Sequence, residues 1–180
     1  MATRIPHRGP PWWISAFLCG AAAVLILHQG TLAAIYLAGF SAPAPYSLAP
    51  TQPWDVPQLW SLAFWGGVWG IVLAAALRRL TGGSLIVAAL VFGAIFPTLV
   101  AWFIVAPLKG QPMAAGFVPA AMALGPIVNA AWGLGTGLGL ALFGRADRRR
   151  RREARRRKLD EVRREQRASV PDRRLANARF

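Results

Sequence analysis

Between Met1 and Gly144 the chain carries one acidic residue, Asp55, and that scarcity excludes a good deal. Acid–base chemistry on paired carboxylates has nothing to work with there, and neither have proton relays or cation sites built from buried Asp and Glu. Cysteine is equally scarce. Cys19 stands alone, so no internal disulfide can form, and Leu18 before it is not the small residue a lipoprotein signal requires. There are two histidines, His7 and His28, and no Cys-x-x-Cys, His-Glu-x-x-His, phosphate loop or Gly-x-Ser-x-Gly pattern. No catalytic residue or metal set follows from the sequence, and no cofactor is expected.

What is present is divided unevenly. Of 21 Lys and Arg, 16 lie from Arg145 onward together with six of the seven acidic residues, so the net charge of +14 splits into +10 for the tail and +4 for everything before it. The body is apolar in long uncharged runs. A hydrocarbon core of roughly 30 Å needs about 20 such residues in a helix, which predicts four spans. They run over about 12–38, 57–77, 85–106 and 118–143. The first is too long for the roughly 7–15-residue core of a cleaved signal and is expected to tilt or break near Gly30. Trp12-Trp13 mark an interface. Pro57 suits the first turn of span two, Ser84 is an expected N-cap for span three, and Pro97 is expected to kink that helix.

Span two contains FWGGVWG, Phe64 to Gly70. Gly66, Gly70 and Ala74 fall at i, i+4 and i+8, a stripe that lets a second helix backbone approach. Gly133 and Gly137 give span four a similar stripe. A shift of 67 residues superposes Trp65-Gly66, Gly70 and Arg78 on Trp132-Gly133, Gly137 and Arg145, although span one shows no such match to span three. Two parallel helical hairpins on related seams are expected. The seams serve equally within one chain or between copies, which leaves a homo-oligomer or a membrane-protein partner open.

Basic residues set the orientation. Arg4 and Arg8 precede span one, Arg78 and Arg79 separate spans two and three, and the basic tail follows span four. The other two loops hold only Lys109 and the acidic Asp55, which are candidates for an ion pair between those loops. Both termini are therefore expected in the cytoplasm. The Pro-rich loop 39–56 is expected to lie on the outer bilayer surface.

Four uncharged polar residues share one expected depth: His28 and Gln29 lie ~14 Å from the outer face, Thr98 ~12 Å and Asn129 ~16 Å, at 1.5 Å rise per residue. They form a candidate polar layer. Two roles are open: interhelical hydrogen bonds that lock the bundle, or a binding or permeation site for a small solute or proton with His28 as the titrating group. Haem ligation through His28 would need a second imidazole, and His7 is expected on the opposite side.

In the tail, Arg148, Arg149, Arg150, Arg151, Arg152, Arg155, Arg156, Arg157 and Lys158 stand directly after span four. Such a segment suits anionic phospholipid at ~1 kcal/mol per basic residue near the surface. Only Leu159 and Val162 interrupt its polar character, so it is expected as a polar helix or a disordered arm. Nucleic acid is disfavoured, because the tail has no aromatic residue for base stacking before Phe180.

The segments HQG at His28, FWGGVWG, FPTLVAWFIVAPLKGQP from Phe96 and NAAWGLGTG from Asn129 resemble parts of small uncharacterised bacterial inner-membrane proteins with four spans. The resemblance covers roughly residues 12–144. It implies the fold and a bacterial plasma membrane, and it brings no activity or site residues. The expected architecture is an all-α polytopic membrane protein: a lead-in over 1–11, a four-helix domain over 12–144 and a basic cytoplasmic tail over 145–180. The expected function is structural or accessory, with the polybasic tail engaging anionic lipid or a cytosolic partner; the alternative is a small-solute or proton transporter or channel-like element, and a membrane enzyme or haem protein comes third.

Overall fold

Four helices long and apolar enough to cross a membrane make up most of the computed structural model, which describes residues 11–40, 42–52 and 54–169. Helix α1 spans Trp12–Leu37, α2 Gln58–Ala76, α3 Gly83–Leu108 and α4 Pro119–Ser169. In α4 the apolar part is Pro119–Ala146. The expected lead-in, apart from Pro11, and the tail beyond Ser169 lie outside the described residues, as do the side chains of Arg148, Arg150 and Arg151. The chain divides into two compact units, Met1–Phe143 and Gly144–Phe180. In the second, Arg149 Nε donates to Glu153 Oε1 at 2.9 Å, an exposed i,i+4 pair of the kind worth ~0.3–0.5 kcal/mol.

In the first unit, backbone meets backbone where glycine removes the side chain. A Cβ added to Gly20 of α1 would strike the Gly66 carbonyl oxygen and lie 3.0 Å from the Gly70 Cα of α2. A Cβ added to Gly93 of α3 would strike the Asn129 carbonyl oxygen and lie 2.9 Å from the Gly133 Cα of α4. These are the same contact made twice. Ala16 and Gly20 correspond to Ala89 and Gly93, while Gly66 and Gly70 correspond to Asn129 and Gly133. The even-numbered helices therefore match at a shift of 63, one helical turn from the 67 that the Trp-Gly wording suggests. The partner of Trp132-Gly133 is Trp69-Gly70, not Trp65-Gly66.

Helix α4 is also drawn against α1, through its other glycines. The Cβ positions of Gly135 and Gly139 fall against Ala23 and Leu27, and against Cys19, respectively. Residues two apart on a helix point to nearly opposite sides, so Gly133 and Gly137 serve α3 while Gly135 and Gly139 serve α1. Ala23, Val24, Leu73, Ala89, Phe92 and Trp132 fill the centre of the bundle. Ala74, third in the predicted stripe of α2, is only half-buried.

Two helices carry local irregularities close to the positions the sequence singles out. Helix α1 loosens into a π-helical turn at Val24–His28, upstream of Gly30, and resumes at Gln29. Helix α3 continues past Pro97 to Val100 and then makes its own π turn at Ala101–Val105. Ser84 does not cap α3: Gly82, at φ 63°, is the N-cap residue, and the Ser84 hydroxyl donates instead to the Thr81 carbonyl at 2.9 Å. Before α2, the strands β1 (Pro50–Thr51) and β2 (Val56–Pro57) form a minimal antiparallel ladder. Before α4, Ala114 to Phe117 all have positive φ, making a left-handed turn that costs about 1–2 kcal/mol per non-glycine residue.

Candidate functional site

The residues of the expected polar layer form two separate hydrogen-bonded groups. Between α3 and α4, Asn129 Nδ2 donates to Thr98 Oγ1 at 2.9 Å. Thr98 is buried and its partner half-buried, so this bond lies within the seam where Gly93 meets the Asn129 backbone. On α1, Gln29 is buried, and its Oε1 accepts from the backbone N–H of Tyr46 at 2.7 Å. No hydrogen bond joins His28 to Asn129 among the described residues. His28 is half-buried and its Nδ1, fully shielded, has no hydrogen-bond partner among the described residues. His7 lies outside the described residues.

Tyr46 is the residue that sequence reasoning did not place here. Its hydroxyl donates to the carbonyl oxygen of Leu25 at 3.0 Å, and that carbonyl belongs to the π turn of α1. A π turn displaces the regular i to i+4 ladder, which leaves carbonyl groups available to outside donors. Tyr46 thereby joins the loop to α1 twice, by its N–H to Gln29 and by its hydroxyl to Leu25. It holds φ 54°, a conformation uncommon for a residue with a bulky side chain. The only advance signal was a lone tyrosine among prolines and alanines, opposite a helix bearing His28 and Gln29.

A second tie crosses between the hairpins. Trp132 Nε1 of α4 donates to the Gly20 carbonyl of α1 at 3.0 Å in a buried setting, and Thr136 Oγ1 donates to the Trp132 carbonyl at 2.9 Å. Trp69, which occupies the equivalent place in α2, meets Phe92 of α3 edge-on with ring centroids 6.1 Å apart. Each tryptophan thus reaches the odd-numbered helix of the other hairpin.

Asp55 and Lys109, the two charges expected to pair, are not paired with each other among the described residues. Asp55 Oδ1 accepts from Gln52 Nε2 at 3.3 Å within its own turn, and Lys109 is exposed. Compared with protein-family models, with curated proteins and with solved structures, the chain matches none.

Proposed function

We propose that this is an integral membrane protein of structural or accessory type in a bacterial plasma membrane, with both termini cytoplasmic and a polybasic segment that binds anionic phospholipid. The observation that carries the reading is the closure of the bundle by backbone contacts at Gly20, Gly70, Gly93 and Gly133, where no Cβ would fit. A bundle closed so tightly suits a fixed scaffold. Asn129 and Thr98 hydrogen-bond across α4 and α3, the bundle-locking role expected of such groups in an apolar solvent, while Gln29 holds the loop at Tyr46 and Thr136 bonds to a carbonyl of its own helix. The cationic run from Arg148 to Lys158 follows the last span directly and faces the leaflet that bears anionic lipid.

The expected result concerns an environment-sensitive dye at Ala154→Cys in a Cys19→Ala background, with the whole protein in nanodiscs. Emission shifts to the blue in phosphatidylglycerol but not in phosphatidylcholine. Salt near 1 M, where the screening length is ~3 Å, reverses the shift. Replacing Arg155, Arg156 and Arg157 by Gln weakens the association by about 3 kcal/mol, more than a hundredfold. Equal emission in the two lipids would remove the lipid reading.

The unpartnered Nδ1 of His28 favours a second reading, a small-solute or proton pathway. Position 28 tests it through His28→Cys in the Cys19→Ala background, treated in intact cells with a membrane-impermeant thiol reagent. The structural reading expects protection; labelling would establish a water path to this residue and support transport.

A further inference from the structure

The Tyr46 contacts fix a depth for the loop between α1 and α2. Gln29, which receives the Tyr46 N–H, lies eight residues before Leu37, the end of α1. At 1.5 Å per residue that is ~12 Å below the helix end. The Tyr46 hydroxyl reaches a carbonyl one turn lower still. From the other side, Leu59 N–H donates to the Ser47 carbonyl at 3.0 Å and Gln58 N–H to the Ala49 carbonyl at 2.9 Å. Residues 47–49 therefore stand where another turn of α2 would stand. Helix α2 has 19 residues while α1 and α3 have 26 each, a difference of ~10 Å along the axis. The loop occupies the thickness that α2 gives up.

We propose that segment 42–52 is a re-entrant segment within the outer leaflet, with its Leu48 side against lipid acyl chains. The proposal rests on the membrane reading above. Three features of the segment fit that solvent. It has no charged residue, and Pro43, Pro45 and Pro50 carry no N–H that would need a partner. Of its donors, the N–H groups of Tyr46 and Ala49 are engaged, the latter on Ser47 Oγ at 3.3 Å. The Thr51 hydroxyl is engaged too, donating to the Val56 carbonyl at 2.7 Å. Leu48 is 63% exposed and Leu37, at the helix end above it, 82% exposed. With the segment below the helix ends, these side chains continue the exposed apolar belt formed by Ile26 of α1 and Phe64 of α2 into one contiguous patch. The polar tip, where Gln52 meets Asp55, is left for the headgroup layer.

Spin labels test the placement in the full-length Cys19→Ala protein, reconstituted in phosphatidylcholine nanodiscs. Labels go singly at Leu48→Cys, at Ala44→Cys as a second exposed site of the segment, at Ile95→Cys in the middle of α3, and at Ala154→Cys in the basic helix as the water reference. Collision rates with oxygen, which concentrates in lipid, and with a water-soluble nickel chelate are compared. The expected oxygen-to-nickel ratio at positions 48 and 44 is several-fold above that at 154 and below that at 95. A ratio at 48 and 44 equal to that at 154, with 95 still lipid-like, would overturn the re-entrant placement and leave the membrane reading standing. Shielding of 48 and 44 from both reagents would also overturn it, in favour of cover by a second protein copy. A water-like ratio at 95 would remove the membrane reading itself.

Discussion

Gly93→Ala is expected to destabilise the bundle by more than about 3 kcal/mol, and Gly30→Ala to stabilise it by ~0.5–1 kcal/mol, although the two substitutions are chemically identical. At Gly93 the three atoms nearest the new methyl group are all backbone: the Asn129 carbonyl oxygen, the Gly133 Cα at 2.9 Å and the Gly133 nitrogen at 3.0 Å. Backbone in a hydrogen-bonded helix cannot rotate out of the way, so α3 and α4 must separate. Separation strains the Asn129–Thr98 hydrogen bond formed in the same seam. At Gly30 nothing lies within 4 Å of the new atom, and only the helix-propensity gain remains. Gly67 is the intermediate case, since its Cβ would meet the Phe17 ring, a side chain able to turn aside. Unfolding midpoints of the three purified variants in one detergent check the order. Equal midpoints for Gly93→Ala and Gly30→Ala would show that the close backbone approach does not exist.

Trp132→Ala is expected to cost about 2–3 kcal/mol through the cavity alone, taking on the order of 100 Å³ left unfilled at ~24 cal/mol per Å³. In the proposed bilayer setting lipid is as apolar as the protein interior, so the transfer term that enlarges such losses in water drops out, and packing and hydrogen bonding make up the effect. Trp132 is 2% exposed among Ala23, Val24, Leu73, Ala89 and Phe92, residues that belong to both hairpins. Trp132→Phe largely separates the contributions: an aromatic ring still fills most of the space, the donor to the Gly20 carbonyl is lost, and the expected cost falls to roughly 0.6–2 kcal/mol. Because this bond joins α4 to α1, the alanine variant is also expected to speed protease cutting at the already exposed link between Arg79 and Ser84 before either seam opens. Limited proteolysis alongside the unfolding curves checks this. If the two variants lose equal stability, the cavity argument fails.

The seams show how far each level of description reaches. FWGGVWG contains two Trp-Gly pairs four residues apart, and both match Trp132-Gly133. In one dimension the pairs are equivalent, and agreement with the terminal arginines favours the first. In three dimensions the choice falls on Trp69-Gly70, because Gly20 and Gly93 each insert between two small residues one turn apart, and only the shift of 63 makes those insertions alike. A further obscuring feature is that Asn129 stands where the first hairpin has Gly66. A glycine stripe broken by an amide does not look like a stripe, although the contact is made by its backbone carbonyl, which every residue carries.

The candidate site divides in the same way. Depth counting along each helix gave the elevations of Thr98 and Asn129, but rotation about the helix axes decides which polar groups meet, and the two π turns change that rotation within α1 and α3. Hence Thr98 meets Asn129, Gln29 meets Tyr46, and no hydrogen bond joins His28 to either pair. Tyr46 comes from a loop whose path no periodicity encodes.

By itself the sequence determined four helices of spanning length, their approximate limits and the concentration of positive charge after the last one, because length, hydropathy and charge are properties of local composition. The tertiary structure alone decided the seam register, the pairing of polar groups and the descent of the first loop to Gln29. Those depend on which faces of different helices meet, and a difference of one helical turn there leaves local composition almost unchanged.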